Sequence, residues 1–113
     1  IHQNSYPEES VHGAQVFYRE GEESLSLATL VQDALREGLD PGNQREPTKI
    51  PDSVYLMKHI TCPAILVECG FLSNPEEEAK LRSEAYQTQI ALCVTSALLK
   101  SKQNAGLSGQ PVI

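Results

Sequence analysis

The sequence predicts an α/β fold with a mostly parallel sheet and covering helices, and three observations predict it. Residues 64–67 read AILV, an apolar run opened by Pro63 and closed by Gly70. A run that short reads as a strand buried on both faces. Two longer stretches carry apolar residues at three- and four-residue spacing, the mark of a helix with one buried stripe. Short apolar segments alternate with these stretches and no internal repeat is present, which is the α/β pattern.

Length and charge bound the answer. A chain of 113 residues makes at most one domain with a modest core. Its net charge is −6 and its pI near 4.9. Without a basic stripe or Lys/Arg cluster, nucleic acid is not an expected partner. No apolar run in these residues is long enough to span a bilayer, and no signal-peptide pattern is visible. Position 1 is Ile rather than Met, which reads as the cut end of a longer chain. Cys62, Cys69 and Cys93 make an odd count with no CxxC pair, against a disulfide framework or a cysteine zinc site. Cys62 and Cys69 would lie roughly 23 Å apart on an extended strand, too far to bridge. They read as small, mostly buried thiols.

In chain order, Ile1 reads as the last residue of a strand, with His2 at its carboxyl end and Asn4 and Pro7 turning the chain. Residues 13–18, GAQVFY, form the next strand, with Ala14, Val16 and Tyr18 on one side of the alternation. His12, just before it, reads as an exposed loop residue. A helix is expected over residues 24–37, its stripe being Leu27, Leu30, Val31, Ala34 and Leu35. Gly38 should end it, with Pro41 soon after. Residues 40–52 carry three prolines and Gly42 and read as a long loop, the kind of segment that often carries function.

Residues 54–57, VYLM, are expected to form a short strand, and His59 a connector. The central strand follows and ends in Glu68, so a carboxylate stands at the carboxyl end of a buried strand, where open α/β sheets bind ligands. From position alone Glu68 is as readily a solvated acid as a catalytic one. Asn74 caps the next helix, Pro75 takes its first position, and Glu77 occupies the capping-box place. Glu76, Glu77 and Glu78 complement the helix dipole and read as structural rather than as a metal cluster. A last helix is expected over residues 83–101 on the stripe Tyr86, Ile90, Cys93, Val94, Ala97 and Leu98. Residues 102–113 show no period and read as a flexible C-terminal tail.

The segment PAILVECGFLSN, residues 63–74, resembles the signature of the zinc-dependent N-acetylmuramoyl-L-alanine amidases. Residues 1–4, IHQN, resemble the end of that family's Ser-Ile-His-x-Asn motif, and GAQVFY a strand that follows it. Ser5 departs from the family's usual Ala. The resemblance covers roughly residues 1–99, the second half of the family's catalytic domain. It implies that Glu68 is the catalytic acid/base and His2 a zinc ligand. A zinc ion with a water in its open position would activate that water, and the glutamate would pass the proton to the leaving amine. The bond cut joins N-acetylmuramic acid to L-alanine in peptidoglycan. Asn4, and Asn43, Arg45 and Lys49 of the long loop, correspond to residues at the rim of the substrate groove, although a solvated loop explains the last three as well. VYLM and the signature look most like the enzymes that trim spore cortex, and the location implied is the bacterial cell envelope or the outside of the cell.

The family's first zinc histidine, in a His-Gly-x-x-x-Gly segment, and its glutamate ligand find no counterpart in these residues. Residues 1–101 are therefore expected to be the C-terminal half of an amidase domain. Alone, that half should be inactive and should self-associate through an exposed sheet edge. Two other readings stay open: a non-catalytic peptidoglycan- or partner-binding domain of the same fold, and a metallo-carboxypeptidase, whose His-x-x-Glu ligand pair is missing here.

Overall fold

A computed structural model describes the backbone of residues 1–109 and the side chains of residues 1–105. In chain order the elements are β1 (His2–Asn4), β2 (Gln15–Tyr18), α1 (Glu22–Leu39), β3 (Thr48–Lys49), α2 (Tyr55–His59), β4 (Ile65–Phe71), α3 (Pro75–Leu81) and α4 (Glu84–Gly109). The strands form one sheet in the order β1-β4-β2-β3. The outer pairings, β1 with β4 and β2 with β3, are parallel, and the central pairing of β2 with β4 is antiparallel.

One face of the sheet holds the core. Ala14 and Val16 of the β2 segment and Val67 and Cys69 of β4 pack with Ala28, Val31 and Leu35 of α1, and with Ile90 and Ala97 of α4. Alternation along the strands puts Gln15, Phe17, Leu66 and Glu68 on the opposite face. The helix α1 is anchored by two polar residues as well as by its apolar stripe. Gln32 is fully buried. Its Oε1 accepts from Val16 N at 2.8 Å and its Nε2 donates to Ala14 O at 3.1 Å, so the amide pairs with β2 as a strand backbone would. The Ser24 hydroxyl accepts from Ala64 N at 3.0 Å.

Several expectations are corrected. The first strand begins at His2 and runs to Asn4, rather than ending at His2. Gly38 does not stop α1, which reaches Leu39; a Cβ at Gly38 would fall 2.5 Å from the Cys93 sulfur, so this glycine is where α1 and α4 touch. The segment expected as a strand over 54–57 is the helix α2, with Lys58 N donating to Val54 O and Ile60 N to Leu56 O. The place beside β2 is taken by Thr48–Lys49, from within the expected loop. The central strand continues through Gly70 to Phe71, so Glu68 sits in its middle and not at its end. α4 continues as far as Gly109 through the segment expected to be a flexible tail. A glycine inside a helix costs only about 1 kcal/mol relative to alanine, so Gly106 does not end it. Residues 110–113 of that expected tail lie outside the described residues.

The capping box is half formed. Asn74 Oδ1 accepts from Glu77 N at 3.0 Å. The Glu77 carboxylate does not return to the cap; its Oε1 accepts from Phe71 N and from Gly13 N, both at 3.0 Å. It staples the carboxyl end of β4 to the segment leading into β2. Gly70 lets it do so, because a Cβ there would lie 3.1 Å from the Glu77 carboxylate.

Candidate active site

Glu68 is held on the inner strand β4, with β1 on one side and β2 on the other. Its residue exposure is 8%, the lowest of any acid among the described residues. In the parallel ladder it stands opposite His2, and in the antiparallel ladder opposite Gln15. His2, Glu68 and Gln15 therefore form a row across three strands. The His2 Nδ1 lies 3.3 Å from Glu68 Oε2. The two side chains differ sharply in access: His2 is 70% exposed and Glu68 10%. An exposed imidazole beside a buried carboxylate on rigid strands is an arrangement suited to holding a reacting group from above, with the acid fixed below.

The expected rim residues divide. Asn4 lies in register with Phe71, at the carboxyl end of β4, and its Oδ1 accepts from Ser5 N at 2.8 Å. Arg45 reaches the same end. Its Nε and Nη2 donate to His12 O at 3.1 and 2.9 Å, and its guanidinium lies 5.1 Å from the Phe71 ring centre. Asn43 is buried, with Nδ2 donating to Ala14 O at 2.9 Å and Oδ1 accepting from Arg45 N at 2.9 Å. Both ends of its amide brace the loop against β2, which leaves little of it for a ligand. Lys49 is not brought to Glu68. It pairs with Tyr18, which pairs with Ile65 at the far end of β4, and its amine bonds Glu20 at 3.2 Å. Three residues of strand separate that end from Glu68, about 10 Å.

The side chains present do not complete the zinc site expected from the sequence. Among the described residues no group of three or more His, Cys, Asp or Glu is placed to hold a metal. His12 bonds Ser10 O, and the His59 ring packs tilted against Tyr55. One imidazole and one carboxylate fall short of the three protein ligands of a catalytic zinc. A cavity of about 560 Å³ lies elsewhere, between the start of α1 and the end of α4, lined by Glu22, Leu27, Pro63 and Ser101 among others.

The profile of the N-acetylmuramoyl-L-alanine amidases matches residues 1–100. The chain belongs to this amidase family. It is 37% identical over 101 residues to the germination-specific N-acetylmuramoyl-L-alanine amidase of Bacillus subtilis, covering 88% of this chain and 42% of that one. Among solved structures it is similar to the CwlD amidase of Clostridioides difficile in complex with the GerS lipoprotein. That similarity has a TM-score of 0.84 and 34% identity, over 89% of this chain and 51% of that one. It is also similar to the amidase AmiC2 of Nostoc punctiforme, with a TM-score of 0.77 and 27% identity, over 89% of this chain and 54% of the other. The chain thus spans about half the length of the amidases it matches.

Two residues near Glu68 take places that the sequence did not indicate. Gln15 stands directly across from Glu68, and Glu77 ties the carboxyl end of β4, Glu68's own strand, to the segment leading into β2. The alternation in GAQVFY does put Gln15 opposite the core face. Which residue of β4 it would meet depends on a register that no local pattern encodes.

Proposed function

We propose that this chain carries the acid/base of an enzyme that hydrolyses the amide between N-acetylmuramic acid and L-alanine in peptidoglycan. The observation that carries the reading is Glu68, nearly buried on a central strand with the exposed His2 imidazole 3.3 Å away. Glu68 takes a proton from the attacking water and delivers it to the leaving amine. Asn4 and Arg45, at the carboxyl end of β4, face the muramyl peptide. Zinc belongs to the proposal with His2 as this chain's ligand and the rest of the set from outside these 113 residues. The likeness to the germination-specific amidase supports spore cortex as the form of peptidoglycan, and with it a place in the bacterial cell envelope or outside the cell.

A chimera tests the reading. This chain replaces the matching stretch of the Bacillus subtilis relative, and release of amine from muramyl peptide is followed. Glu68→Gln should lower kcat at least ~10²-fold with the zinc content unchanged. His2→Ala should lower the zinc content itself. Full zinc and tight muramyl-peptide binding without cleavage would replace the enzyme with a peptidoglycan-binding domain.

A further inference from the structure

Gln15 is a buried amide with half of its hydrogen bonding unspent. Its residue exposure is 8%. Nε2 donates to Glu46 O at 2.6 Å and Val16 O at 3.1 Å, and lies 3.4 Å from Thr48 Oγ1. Backbone carbonyls only accept, so they fix which end of the amide is nitrogen. No bond of Oε1 accompanies these three. Every fully buried side-chain polar atom among the described residues has a partner, so Oε1 retains access to the outside. With Nε2 committed to the β3 side, the planar amide turns Oε1 away from β3.

The neighbour on the other side is Glu68. Directly opposed residues of an antiparallel pair share a face, with Cβ atoms about 4.5–5.5 Å apart. Gln15 and Glu68 are such a pair. An anchored, uncharged acceptor therefore stands beside the carboxylate that must meet the scissile nitrogen. A carboxylate in its place would set two like charges side by side and disturb the protonation of Glu68; an amide oxygen does not.

We propose that Gln15 contacts the substrate, its Oε1 accepting the N–H of the amide that is to be cut. This rests on the assignment of Glu68 above. The two groups then divide the nitrogen between them. The N–H lies in the amide plane and points at Gln15. The proton from Glu68 arrives perpendicular to that plane as the nitrogen becomes tetrahedral. Holding the N–H fixes the plane, and so fixes which lobe of the nitrogen faces Glu68. The anchoring of Nε2 to the Glu46 carbonyl keeps the acceptor in place before substrate arrives.

The test is an NMR titration of the chimera described above, carrying Glu68→Gln to stop turnover, with N-acetylmuramoyl-L-alanine. Two variants are compared with the parent: Gln15→Met, which keeps the length and loses both donor and acceptor, and Gln15→Lys, which keeps donors for the Glu46 carbonyl and loses the acceptor. The amide spectrum of each variant reports whether the fold is kept. The expected result is a downfield shift of the ligand's L-alanine N–H on the parent chimera, absent in both variants, with affinity reduced about tenfold. Unchanged affinity and N–H shift in Gln15→Lys would overturn the role of Oε1, leaving Glu68 untouched. Loss in Gln15→Met alone would reduce Gln15 to a loop anchor, which also overturns it. A ligand that perturbs no resonance of β1, β4 or β2 would overturn both this inference and the reading of the site.

Discussion

Glu77 and the three thiols show how single residues set the behaviour of this chain. The Glu77 carboxylate accepts two backbone N–H groups, from Phe71 and Gly13. Hydrogen bonds to a charged group contribute about 1.5–3 kcal/mol each. Glu77→Ala should lower the unfolding free energy by about 3 kcal/mol in urea titrations, far more than Glu76→Ala at its exposed neighbour. An equal effect at both positions would remove the staple from the account. The thiols differ by exposure: Cys62 is exposed, Cys93 intermediate and Cys69 buried. Burial pushes the Cys69 thiol above its ordinary 9.0, with the Glu68 charge adding to the rise. Burial raises Cys93 and Tyr86 as well. In each case the neutral form is favoured in the folded state. Their contribution to stability is therefore fully present below the ordinary values, and is lost as pH rises through the raised ones, because the unfolded chain releases its protons first. The urea midpoint should fall as pH rises from about 9 through 10 and above, and fall less in Cys69→Ala. A thiol reagent should find one fast group, Cys62, at neutral pH.

At the scale of elements, α1 is tied to β2 and to α4 by contacts that a hydrophobic stripe does not describe. Gln32→Leu would fill the same space but leave Val16 N without an acceptor. An orphaned buried backbone group costs about 1–3 kcal/mol, and that loss should appear in the unfolding free energy despite the gain in apolar character. No change, or a gain, would mean that β2 does not depend on this amide. Gly38 is a sharper case, because two effects oppose. Helix propensity alone favours Gly38→Ala by about 1 kcal/mol. The new methyl would lie 2.5 Å from the Cys93 sulfur, and overpacking typically costs about 1–3 kcal/mol. The net effect should be destabilising, and Gly38→Ala combined with Cys93→Ala should recover most of the loss. Failure of the double variant to recover would exclude the helix contact as the cause.

At the scale of the molecule, the sheet order among the described residues leaves β1 bonded on one side. Asn4 O accepts from Leu72 N across to β4, so the next backbone group along, at Gln3, turns toward the open side. The exposed Leu92, Leu98 and Leu99 add apolar surface on α4. An open edge and exposed apolar surface each favour pairing between copies. Sedimentation should show the chain self-associating at tens of micromolar, and Gln3→Pro should reduce it, since proline removes the outward donor without touching the β4 ladder. A monomer at all concentrations would show that the edge is blunt.

Much of this protein was already legible in local chemistry. The AILV run, the helical stripes and the Asn74-Pro75 start each encode their own backbone preference, so the central strand, α1 and α3 follow from neighbours in sequence. The signature around Glu68 and the tail motif at His2 pointed to the amidase family before any contact was known. What only the tertiary structure decided depends on partners far along the chain. Whether VYLM becomes a strand depends on whether a place beside β2 is free, and Thr48–Lys49 fills it. Whether Gly38 stops a helix or admits Cys93 depends on where α4 lies. His2, Gln15 and Glu68 meet through strand register, which is set by the packing of the whole sheet on α1 and not by any residue's own propensity.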